Sequence, residues 1–74
     1  MTLDQIARGE SVRVVYVPGG DIRARMLRIG ISEGSMIDCV LKIPAGPIVI
    51  RHGNLELALG RRLASAIEVA GGDA

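Results

Sequence analysis

One cysteine and one histidine stand in this 74-residue chain, and together they deny it the usual staples of a small domain. A single thiol forms no intrachain disulfide, and a clustered Cys/His zinc site needs more ligands than these two. A domain of this size buries only roughly 60–65% of the surface that its unfolded chain exposes. Many such domains therefore lean on disulfides, a metal or a partner. Here aliphatic residues must do that work: hydrophobic residues make up 49% of the sequence, with one Tyr and no Phe or Trp. So apolar a chain does not read as disordered.

Charge narrows the function. Nine basic and eight acidic residues leave a net charge of +1, which exerts no strong pull on nucleic acid. Binders of single strands stack bases on aromatic rings, and only Tyr16 is on offer. No apolar run approaches the ~20 residues of a membrane span. Met1-Thr2-Leu3-Asp4 lacks the basic and apolar regions of a secretory signal. Sparse cysteine suits a reducing compartment, so the expected location is cytoplasmic.

Thr2-Leu3-Asp4-Gln5 has the form of a capping box, followed by one helical turn that Gly9 can end. The β-branched run Ser11–Val17 reads as a strand, broken by Pro18-Gly19-Gly20. Asp21 is placed to cap a helix in which Ile22, Met26 and Ile29 form one stripe. Arg25 and Arg28 lie on one side of that stripe, Arg23 projects elsewhere, and Gly30 closes the helix. Met36–Ile43 reads as a second strand, with Ile37, Cys39, Leu41 and Ile43 on the inward face. Pro44-Ala45-Gly46-Pro47 is a loop. Ile48–His52 and Leu55–Leu59 are strands around a Gly53-Asn54 turn. Gly60–Ala64 is a short helical turn and Ala66–Val69 a last strand. The sequence thus predicts a single domain over 1–70, with 71–74 a loose tail. Its class is mainly β: a small SH3-like antiparallel barrel of about five strands with one or two short helices. Closure would remove the exposed edges that short strands otherwise leave.

The order of these pieces resembles the FeoA family. It begins with Leu-x-x-Ile-x-x-Gly from Leu3 to Gly9. Arg-x-Arg-Met-Leu-x-x-Gly-Ile follows at 23–31, then Glu33-Gly34-Ser35, Pro44-Ala45-Gly46-Pro47-Ile48 and Leu57-Ala58-Leu59-Gly60-Arg61. The resemblance runs from Leu3 to Val69, and its most specific part is Arg23 to Gly34. It implies an SH3-like barrel with no enzymatic activity of its own. It also implies a partner, the membrane transporter FeoB with its cytosolic GTP-binding domain, and so an accessory role in ferrous iron transport. The same fold forms the C-terminal domain of iron-dependent repressors, which carry a winged-helix region that this chain has no room for. An SH3-like nucleic-acid-binding or repressor-associated regulatory module is the alternative.

Candidate interaction residues follow. Arg23, Arg25 and Arg28 are either a solvated helix face or a docking surface for an acidic partner. Val40 and Val49, opposite the main inward series, are either scattered surface valines or part of a patch for a partner or a second copy. Cys39 reads as a buried small hydrophobe and His52 as a strand-end residue. A Cys39–His52 metal pair lacks further ligands, so no metal or cofactor site is expected. No catalytic signature is present. Arg61 and Arg62 read as facing water from a turn that Leu63 anchors; the other reading is an arginine finger acting on a partner's GTP.

Overall fold

Apolar residues at alternate positions build five strands: β1 (Ser11–Tyr16), β2 (Met36–Lys42), β3 (Ile48–His52), β4 (Leu55–Leu59) and β5 (Glu68–Gly71). Helix α1 (Asp21–Arg28) joins β1 to β2, α2 (Arg61–Ser65) joins β4 to β5, and a 3-10 turn covers Leu3–Gln5. The structure, a computed structural model, describes residues 1–71. The expected tail at 71–74 therefore needs correcting at Gly71, which pairs with Val12 at the end of β5. The rest of that tail lies outside the described residues. No helix among the described residues is long and apolar enough to cross a membrane.

The strands form one antiparallel sheet in the order β4-β3-β2-β1-β5. Its two ends differ. The outer edge of β5 is covered by the N-terminal segment: Thr2 bridges to Glu68, and the Val69 N–H donates to the Met1 carbonyl at 2.7 Å. The outer edge of β4 has no strand partner among the described residues. The hydrogen-bonded sheet thus stays open on that side.

Two bulges decide what faces inward. In β2, Cys39 pairs with Ile50 but Leu41 pairs with Val49, so Val40 is an extra residue. An extra residue shifts a strand's phase by one and turns the following side chains over. Ile37 and Cys39 are buried, whereas Leu41 and Ile43 are each 40% exposed. This corrects the simple alternation, which placed all four inside. The β1 register shifts between Val14 and Tyr16; Val12 and Val14 face inward, Val15 and Tyr16 do not, and Val17 returns to the core.

Helix α1 starts one residue earlier than the sequence suggested, with Gly20 rather than Asp21 in the capping position. It ends in a Schellman motif: Gly30, at φ 82°, donates to the Leu27 carbonyl, and Ile31 donates to Met26 at 2.8 Å. The buried pair Met26 and Ile31 supplies the hydrophobic contact that usually accompanies this motif. Arg23 fixes the other end of α1. Its guanidinium pairs with Glu33 and donates to the Val17 carbonyl at 2.7 Å. The Glu33 carboxylate in turn accepts from the Val17 N–H at 3.0 Å. The Arg23 hydrogen bond, followed by the Val17 amide, lowers the Glu33 pKa from its ordinary 4.5 to about 2.

Two predictions test this packing. Ile37→Ala should destabilise by about 2–5 kcal/mol, as buried aliphatic truncations do. Leu41→Ala, two pairs further along the same strand in simple alternation, should cost less than about 1 kcal/mol. Chemical denaturation of both variants checks the bulge, and equal losses would refute it. The second concerns Glu33. A depressed carboxylate contributes stability above its unfolded pKa and loses it as pH falls through its folded value. The melting temperature of the wild type should exceed that of Glu33→Gln near neutral pH. The difference should shrink below about pH 4.5, be mostly lost near pH 2 and vanish only below it, as read by thermal melts across that range.

Candidate functional site

The arginines of the two helices divide into tied and free. Arg23 is held by Glu33 and Val17. Arg61 is held as well, contrary to the expectation that it faces water. Its Nε donates to the Gly46 carbonyl at 2.8 Å and its Nη2 to the Ile43 carbonyl at 3.0 Å. It thereby clamps the loop after β2, where Pro44 and Ala45 form a turn closed by Gly46 N–H to Ile43 carbonyl at 2.8 Å. Ala45 takes φ 56° there, a conformation that suits Gly better. An Arg61 so engaged is poorly placed as an arginine finger. The side chains of Arg25, Arg28 and Arg62 make no salt bridge or hydrogen bond among the described residues, and all three residues are exposed.

Two of those free arginines meet at one place. A groove of about 560 Å³ opens between α1, the end of β4 and α2. Its floor is aliphatic, made by Ile22, Leu59 and Leu63. Arg25 comes from α1 and Arg62 from α2, and Asp21 is the one acidic residue lining it. Ile22 and Arg25 are adjacent there because they are three residues apart on a helix. Sequence reasoning found Arg25 but not Arg62, Leu59 or Leu63 as its companions. Those contributions come from tertiary packing of α2 beside β4, for which the sequence carries no local signal.

The other expected residues fall elsewhere. Arg28 is exposed on α1 but does not line the groove. Val40 and Val49 are half-buried in β2 and β3. Val49 sits between Leu41 and Ala58 in the cross-strand register, and Ala58 lines the groove. Cys39 is buried, and burial pushes its thiol pKa up. His52 straps two elements: Nδ1 lies 3.0 Å from the Met36 carbonyl oxygen and Nε2 lies 3.1 Å from that of Gly30. Among the described residues no three His, Cys, Asp or Glu side chains stand together to hold a metal.

Comparison with known proteins assigns the fold and family. The family model described as FeoA domain matches residues 1–71. No curated protein sequence matches the chain. Among solved structures, an iron uptake regulatory protein (FeoA) is 30% identical with a TM-score of 0.85, each chain being covered over 93%. Iron(II) transport protein A from Clostridium thermocellum is 28% identical, with a TM-score of 0.90, covering 99% of this chain and 46% of that one. FeoA from Stenotrophomonas maltophilia, a prokaryotic SH3 domain protein solved with zinc, is 25% identical, with a TM-score of 0.81 over 95% and 89% of the two chains. A manganese-dependent transcriptional repressor has the same fold at 24% identity and a TM-score of 0.86, over 96% of this chain and 41% of its own. The five-stranded sheet is thus SH3-like, and the chain belongs to the FeoA family of small accessory domains associated with ferrous iron transport.

Proposed function

We propose that this domain binds the cytosolic part of a FeoB-type transporter and promotes or tunes its uptake of ferrous iron. The family match across residues 1–71 carries the reading. The surface chemistry supports it: Arg25, Arg28 and Arg62 stand exposed on the helices without a salt bridge among the described residues. Arginine forks pair well with a partner's carboxylates. Arg25 and Arg28 form the docking face in this proposal. Arg23 takes part only through the fold, because Glu33 already occupies it. Any effect on GTP hydrolysis then comes from binding the transporter's GTP-binding domain, not from a nucleotide site in this chain.

The test is capture of the purified cytosolic GTP-binding domain by the full chain. Wild type should retain it. The double variant Arg25→Glu, Arg28→Glu should bind on the order of tenfold more weakly with an unchanged melting temperature. Equal capture by both proteins would remove this face from the interaction, and no capture by wild type would reject the partner.

A further inference from the structure

We propose that the groove between α1, β4 and α2 holds an extended acidic and aliphatic segment of a protein partner. Three observations converge on that occupant. The first is the apolar lining: the half-buried Ile22 and Leu63, over the buried Leu59, contribute aliphatic side chains and no aromatic ring. Such a lining takes an aliphatic side chain and offers nothing on which a nucleobase could stack.

The second is charge. Arg25 and Arg62 come from different helices, line the same groove and have no intramolecular partner among the described residues. The neighbouring Arg23 and Arg61 are both engaged. Asp21 offsets one of the two positive charges, so the lining favours an acidic segment and disfavours a basic one. Two guanidinium forks flanking an apolar floor match carboxylates that flank an aliphatic residue.

The third is the backbone. Ala58 and Leu59 are consecutive in β4, one exposed and one buried, so their side chains leave opposite faces of the sheet. Both nevertheless line the groove, with Gly60 beside them, so it meets β4 at its C-terminal end. β4 is also the strand at the end of the sheet that has no further strand partner among the described residues. The flanking residues from Asn54 to Gly60 include no Pro or Lys to block pairing. An extended segment that enters the groove and runs on along the free edge of β4 gains main-chain hydrogen bonds, and the groove reads its side chains.

The partner's identity rests on the transporter reading above, whereas the chemistry of the occupant does not. The experiment separates the two. A blocked peptide of alternating glutamate and leucine is titrated into the isotope-labelled full chain and followed by amide NMR. Shifts should concentrate at Gly19, Ala58, Gly60 and Leu63, and should weaken with added salt. The variant Arg25→Gln, Arg62→Gln should keep its dispersed spectrum and bind about tenfold more weakly. No shifts at millimolar peptide, shifts confined elsewhere, or equal binding of the lysine–leucine counterpart would each overturn the groove assignment. The same peptide should also displace the transporter's cytosolic domain. If the domain binds but is not displaced, the groove is not its seat; if peptide binds and the domain does not, the groove stands and the transporter reading falls.

Discussion

Hydrophobic burial must hold this domain together almost unaided, and that requirement determines where its polar groups go. The buried residues are aliphatic side chains, Met26 and the small thiol of Cys39, with no buried polar or charged side chain among them. An interior of this kind tolerates no unpaired polar atom, because low dielectric makes each one costly. Charged groups are accordingly at the rim, where they can tie backbone to backbone. Arg23 and Glu33 secure the connection from β1 through α1 to β2. Arg61 secures the loop between β2 and β3 against α2. The two clamps fix how these connections sit, while burial of the aliphatic core supplies the stability.

The same requirement sorts the arginines. An arginine that holds a carbonyl is structural, and reversing its charge disturbs the fold before any partner is involved. By composition Arg23 groups with Arg25 and Arg28 as a docking candidate, although it projects from a different side of the helix. Yet its guanidinium is occupied by Glu33, ten residues away in sequence. Arg61 and Arg62 are neighbours in sequence but differ in the same way: one holds the loop and the other opens onto the groove.

Local pattern revealed the elements, and it failed where the answer depended on register or tertiary packing. Ile48–His52 and Leu55–Leu59 have the expected limits because Gly53-Asn54 marks the turn between them. Leu41 was misplaced because a bulge at Val40 leaves no mark in a run of apolar residues. The last strand starts at Glu68 rather than Ala66, since Ile67 is buried and its backbone meets Leu3 before β5 begins. Of the groove's residues, Arg25 and Arg62 each stand out in the sequence, but nothing there makes them neighbours. Arg62 and Leu63 come from a five-residue helix whose placement beside β4 no periodicity encodes.

The asymmetry of the sheet edges links fold to function. A sheet of five short strands has two edges, and an unprotected edge invites pairing with other chains. At β5 the N-terminal segment fills that role, with Met1 and Leu3 making main-chain hydrogen bonds. At β4 nothing equivalent is present among the described residues, and the groove with its two free arginines lies there. Charge along the groove can protect such an edge by making it selective. A segment that brings no carboxylates leaves Arg25 and Arg62 partly desolvated and unpaired, an outcome that disfavours indiscriminate association. A segment that brings them gains both the ladder and the ion pairs. The feature that leaves the fold open on one side is therefore also the feature that can restrict what closes it.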